Sequence, residues 1–233
     1  MILGSMQPYF FPYIGYFDLI YRSDCWLVYD TAQYIRRGWV NRNRILHPER
    51  GWQYITVPIQ KCHQTTKINE VYIADDAQWR DRLLGQLQHY KRKAPFFEVT
   101  INLVAACLTA AGESLSRLNV ESLRETCAYL GIPFSAVLES ELTPVCGKTP
   151  NDCALYRAQE LGASEYINPA GGAHLYDPVA FDEAGVKLTI QDAVDFVYEC
   201  DGYKFEPRLS IIDVMMWNSA GTIRDYLASK PSG

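Results

Sequence analysis

The densest run of chemically capable residues opens the chain: Gln7-Pro8-Tyr9-Phe10-Phe11-Pro12-Tyr13-Ile14-Gly15-Tyr16-Phe17. Tyr9, Tyr13 and Tyr16 offer ring faces for stacking and hydroxyls for hydrogen bonding, while Gln7 offers an amide without apolar bulk. Tyr13 stands where a helix should begin, so unpaired backbone N–H groups there would favour an anion. Packing of the rings over a sheet is the competing reading, and it leaves Gln7 and Gly15 unexplained. A second cluster runs from Asp30 through Gln33 to Asn41-Arg42-Asn43-Arg44. A carboxylate at a strand's carboxyl end can orient an amine or take its proton, which makes Asp30 a candidate catalytic group. On a strand, Arg42 and Arg44 share one face, and paired guanidinium groups there suit a phosphate or carboxylate. A third cluster, Ser140-Glu141-Leu142-Thr143-Pro144-Val145-Cys146-Gly147-Lys148-Thr149, resembles the end of a phosphate-binding loop but has Leu142 where the upstream glycine belongs. Lys148 could still hold a phosphate beside a helix capped by Thr149. Finally, Gly171 and Gly172 let backbone approach a ligand, and His174 follows as a candidate acid or base.

These residues need a scaffold, and the composition supplies one. The chain has 233 residues, 48% hydrophobic and 21% charged, enough to bury a core without metal or disulfide. Its net charge of −5 and pI of about 5.4 argue against general nucleic-acid binding, although Arg36, Arg37, Arg42 and Arg44 make a local basic patch. Seven scattered cysteines form no Cys-x-x-Cys pair, and four histidines fall at no zinc spacing, so reduced thiols in a cytoplasmic protein are expected. Neither a charged leader nor a run of roughly 20 apolar residues is present, so no membrane association is expected. No flavin or nicotinamide motif appears either.

The patterning predicts a strand over 2–6, a helix from Tyr13 with Pro12 in its first turn, and an apolar strand over 25–29. Together these make a βαβ unit. A hairpin is expected from 41–46 and 53–58 around the turn-rich His47-Pro48-Glu49-Arg50-Gly51. A strand over 68–73 follows, then helices over 77–91, 96–110 and 120–130, the last stopped by Gly131. Strand 134–138, helix 151–161, strands 165–168 and 186–191, and an apolar helix capped by Ser210 complete the chain. The expected fold is α/β: a Rossmann-like open sheet with an inserted β-hairpin and additional helices. It should form a single domain over 1–233, with room for a small helical annex around 77–130. Ligands of such sheets bind outside the carboxyl ends of the strands, where the opening cluster lies.

The opening segment, the block from Asp30 to Arg44, the Lys148-Thr149 helix start, Tyr166-Ile167-Asn168 with Gly171-Gly172 and Tyr176, and Leu209-Ser210-Ile211-Ile212-Asp213 resemble the WbqC-like family throughout and in the same order. That family is associated with O-antigen and other surface-polysaccharide clusters, and the resemblance implies glycyl transfer to an amino sugar. Pro12-Tyr13-Ile14-Gly15-Tyr16 is also similar to the His-Ile-Gly-His signature of nucleotidyltransferases and class I synthetases, which implies that topology, with tyrosine in place of both histidines. The leading expectation is a transferase that acylates an amine on a nucleotide-linked amino sugar. Asp30, His174 and Tyr13 would serve catalysis. Gln7, Tyr9, Tyr16, Gln33, Asn41, Arg42, Asn43, Arg44, Lys148, Thr149, Gly171 and Gly172 would bind substrate. The donor stays open among glycine with ATP, a thioester and an aminoacyl-tRNA. The alternatives are a Cys-dependent acyltransferase using Cys146 and a non-catalytic nucleotide-sugar binding module.

Overall fold

A computed structural model of the chain describes residues 1–110, 112–145, 149–193 and 195–230. Five strands, β1 (Ile2–Met6), β2 (Cys25–Val28), β5 (Ala136–Leu138), β6 (Glu165–Pro169) and β7 (Lys187–Gln191), form one parallel sheet in the order β5-β2-β1-β6-β7. Leu3 at its centre pairs with Cys25 on one side and Tyr166 on the other. The chain builds outward from β1 in one direction through β2 and β5, and in the other through β6 and β7. The switch opens a crevice outside the carboxyl ends of β1 and β6. This is the Rossmann-like open sheet expected from the sequence. The inserted hairpin is β3 (Arg42–Leu46) with β4 (Trp52–Thr56).

Alternation along β2 divides the core. Trp26 and Val28 face a large apolar cluster containing α1 (Ile14–Tyr21), the hairpin, and helices α2 (Trp79–Leu87), α3 (Phe97–Ala110), α4 (Leu115–Leu130), α7 (Ile211–Trp217) and α8 (Ala220–Ser229). Cys25 and Leu27 join Leu3 in a smaller cluster against α5 (Pro150–Glu160) and α6 (Pro178–Glu183). Ser114 and the left-handed Gly131 cap the two ends of α4.

The segment between β1 and α1 is held by side-chain amides. Asn119 on α4 donates to the carbonyls of Pro8 and Val40, and Asn43 on β3 donates to those of Phe10 and Phe11 at 3.0 and 2.9 Å. Ser210 donates to Phe11 as well. Phe11 has a φ of 38°, which a bulky residue tolerates only where its surroundings over-determine it, and these clamps do so. Asn43→Ala leaves the Phe10 carbonyl buried without a donor and should destabilise by about 1–3 kcal/mol, read from urea unfolding.

One expected strand, 68–73, is absent. Ile68–Glu70 is a single turn of 3-10 helix, followed by isolated bridges at Tyr72 and Ile73. The buried positions Ile68 and Val71 are three apart, the spacing of that turn rather than of a strand. The Ile68 and Asn69 amides also donate to Ala32 and Asp30 instead of to a partner strand.

Candidate functional site

A cavity of about 410 Å3 fills the crevice at the carboxyl end of the sheet. Gln7 and Tyr9 enter it beyond β1, Tyr29 beyond β2, and Tyr166 and Asn168 from β6. Cys153, Ala154 and Arg157 face it from α5, while Gly171, Gly172 and Tyr176 close it from a short 3-10 segment after β6. Burial raises the phenols of Tyr9, Tyr29, Tyr166 and Tyr176, so each is a neutral hydroxyl able to donate or accept at ordinary pH. Four such hydroxyls over an apolar floor of Met6, Leu27 and Ala154 suit a ring bearing polar substituents.

Two fixed elements give this cavity its shape. Arg157, which is buried, holds Glu139 through Nε at 3.0 and 2.9 Å and through Nη2 at 2.6 Å, and also donates to the Thr143 carbonyl. Burial alone would lower the Arg157 pKa, but its bonds to Glu139 and Glu160 raise it, so the cation persists. Asn168 is fixed by donation to the Ser5 carbonyl at 3.0 Å. A side chain at 172 would bring a Cβ within 2.5 Å of Asn168 Oδ1, which is why glycine stands there.

A second cavity of about 220 Å3 opens at the start of α1, lined by Tyr13, Gly15, Gln191, Asp192 and Arg208. Pro169 and Gly171 line both cavities. No side chain caps α1, leaving its amino end to be satisfied from outside the helix. The Tyr13 ring lies so close over the first turn that a Cβ at Gly15 would come within 2.4 Å of it. Gln191 donates to Asp18 at 3.0 Å, while its Oε1 is buried without a partner. Arg208 pairs with Asp195 at 2.9 Å.

Residues 7–225 match the WbqC-like protein family, a span that takes in the lining of both cavities apart from Ser5 and Met6. The chain belongs to this family. It is also similar to the uncharacterized protein Rv1507c of Mycobacterium tuberculosis, at 33% identity over 237 residues, covering 97% of this chain and 96% of that one. No solved structure matches. Among the described residues, no helix of this WbqC-like chain is long and apolar enough to cross a membrane, and no His, Cys, Asp and Glu cluster could hold a metal ion.

Within the WbqC-like fold the candidate residues divide by position. Gln7, Tyr9, Gly171 and Gly172 line the larger cavity, and Tyr13 the smaller. Tyr16 is buried, donates to the Gln7 carbonyl and packs on Trp26, so it positions Gln7. Asp30 is buried away from both cavities. It accepts from the Ser140 amide at 2.9 Å and hydroxyl at 2.7 Å, and so staples the end of β2 to the turn bearing Glu139. Gln33 donates to the Gln64 carbonyl, and Asn41 bridges Tyr34 and Val57. None of the residues 41–44 lines either cavity: Asn43 clamps the opening segment, while Arg42 and Arg44 stack on Tyr54 and Trp52 across the hairpin. Thr149 caps α5 in a capping box with Asp152. His174 is exposed on the segment carrying the two glycines. Cys146 and Lys148 lie outside the described residues, and the thiol lining the larger cavity is Cys153. Sequence alone does not mark Tyr29, Glu139, Arg157, Tyr166, Asn168 and Tyr176 as site residues. Tyr29 directly precedes Asp30, and Asn168 stands three residues before Gly171. Glu139 and Arg157, 18 residues apart in sequence, carry no local signal.

Proposed function

We propose that the protein is a transferase that acylates, and in the leading reading glycylates, the amine of a nucleotide-linked amino sugar in surface-polysaccharide or related amino-sugar metabolism. The observation that carries this reading is the pair of cavities sharing the wall Pro169–Gly171 at the switch point of the sheet. A group-transfer enzyme must hold two substrates with their reacting atoms adjacent, and adjoining cavities do that. In this reading the tyrosine-lined cavity takes the sugar and its nucleotide. The amino end of α1, with Arg208, holds an anionic group in the smaller one. The bare backbone of Gly171 and Gly172 comes close to the developing oxyanion. His174, in the same segment, takes the proton that the attacking amine releases, and Tyr13 orients the donor.

The test is a thermal-shift screen of sugar nucleotides, nucleotides and amino acids, followed by a transfer assay with the stabilising acceptor. His174→Asn should lower kcat by about 10²–10⁴-fold with KM and melting temperature nearly unchanged, because the ring is exposed. An unchanged kcat removes His174 from the mechanism. Stabilisation by a sugar nucleotide without turnover of any acyl donor would make the chain a binding module instead.

A further inference from the structure

Residues 31–69 carry seven lysines and arginines against one acidic residue, Glu49, in a chain whose net charge is −5. The structure gathers these cations beside one surface. Arg36 donates to the Cys62 carbonyl, Gln33 to that of Gln64, and the Tyr34 amide to that of Thr66, so the loop bearing Arg36 and Arg37 lies against the one bearing Lys61 and Lys67. Arg42 and Arg44 project from the hairpin next to them, and Arg50 stands at its tip. Among the described residues none of the seven makes an ion pair. A concentration of unpaired cations is costly to assemble unless an anion compensates it.

Aromatic rings are set among them. Arg44 lies 5.5 Å from the ring of Trp39 and 5.1 Å from that of Trp52, and Arg42 lies 4.1 Å from that of Tyr54. Trp39 and Trp52 stay 38% and 39% exposed, large values for tryptophan. Arg44 Nε is buried without a partner, while Nη2 reaches the carbonyl of Arg208, which lines the smaller cavity. The surface therefore leads to the site.

We propose that this face of the hairpin binds a single-stranded RNA segment and that the acyl group reaches the smaller cavity carried on the end of that RNA. Cations alone would suit any polyanion, whereas exposed rings interleaved with arginine select unpaired bases, which stack on the rings while the guanidinium groups hold phosphates. An acyl ester on a terminal ribose is already activated. The amine nitrogen bonds to the ester carbonyl carbon, the carbon–oxygen bond to ribose breaks, and the proton that His174 takes from the amine passes to the released ribose oxygen. No ATP is consumed at this step. The choice of RNA and its role as donor rest on the transferase reading; binding of a single strand does not.

Fluorescence anisotropy tests this on the full chain with a short labelled single-stranded RNA, the same RNA annealed to its complement, and DNA of the same sequence, with phosphatidylserine vesicles assayed by sedimentation. The single-stranded RNA should bind best, with affinity falling steeply between about 50 and 200 mM salt. Trp52→Ala should weaken it roughly ten-fold, and Arg37→Glu with Arg50→Glu should flatten the salt dependence. Arg224→Glu, exposed on α8, should change nothing, and circular dichroism confirms folding of each variant. No binding of the RNA at low salt, undiminished binding by folded Trp52→Ala, or preference for duplex, DNA or vesicles overturns the proposal. RNA binding without transfer rejects the transferase reading and leaves the surface intact. A sugar nucleotide held in the larger cavity without RNA binding does the reverse.

Discussion

Arg157→Met should cost about 3–5 kcal/mol of folding stability, a large part of the roughly 5–15 kcal/mol a domain possesses. The Arg157 guanidinium is buried and joined to Glu139 by three hydrogen bonds of 2.6–3.0 Å. Removing the cation leaves the Glu139 carboxylate beside the cavity with no compensating charge and the Thr143 carbonyl without its donor. The carboxylate then either stays charged in a poor dielectric or takes up a proton, and both options destabilise the native state near neutral pH. The double variant Glu139→Leu with Arg157→Met should recover much of the loss, because it removes both charges and fills the volume with apolar atoms. Chemical denaturation of wild type, both single variants and the double variant gives the coupling. Additive losses would mean that the pair shapes nothing. Ligand binding should fall in the double variant even where stability returns, since both residues line the cavity.

Asp213→Leu should be comparably damaging for a different reason. Asp213 is fully buried on α7 and accepts from the hydroxyls of Tyr90 and Tyr198 and from the Leu46 amide. A leucine there orphans the Tyr90 and Tyr198 hydroxyls, each costing about 1–3 kcal/mol if no new partner is found, while the Leu46 amide keeps the Tyr90 oxygen as an acceptor. The same group gives a pH signature. Burial raises the Asp213 pKa from 3.8 to about 6, against the lowering effect of its hydrogen bonds. A raised native pKa means the folded protein binds the proton more tightly than the unfolded chain. Stability from this group is therefore complete below about pH 4 and lost as pH rises through 6. Asp213→Asn mimics the protonated form and should lack that loss. Its stability relative to wild type should improve by about 3 kcal/mol between pH 4 and 7, the equivalent of a two-unit shift. Melting curves of the two proteins across this range isolate the effect, because every other titrating group is shared. A constant difference would mean that Asp213 holds its proton no more tightly than an ordinary carboxyl.

The elements were legible where period and punctuation agreed. The β1–α1–β2 unit, the hairpin, the Gly131 stop of α4 and the caps at Thr149 and Ser210 all follow from local rules, because a strand or a capped helix is a property of a few consecutive residues. The 68–73 segment misled because Ile68, Val71 and Ile73 are apolar enough for a strand while their spacing suits a turn. The opening cluster was recognisable as unusual, but its rings divide in a way that sequence does not announce. Phe10, Phe11, Tyr16 and Phe17 are core, and only Tyr9 and Tyr13 reach a cavity. Asn43 and Asp30 carry the residue types of a binding site, yet both are buried and hydrogen-bonded within the chain, outside the lining of the two cavities. Alternation tells which face a side chain takes, not what lies opposite. Glu139 and Arg157 escaped notice for the converse reason, since each is an ordinary surface residue type until the sheet brings them together.

The proposed transfer site spans the two cavities that meet at Gly171, and a substitution there tests it. Gly171 lines both cavities, and a Cβ added there meets nothing within 4 Å, so the fold accommodates a large side chain at their shared wall. Calorimetric titration of a nucleotide-linked amino sugar into wild type and Gly171→Trp should show saturable binding in the first and none in the second, at nearly equal melting temperatures. Binding of equal strength in both proteins, or in neither, would contradict it.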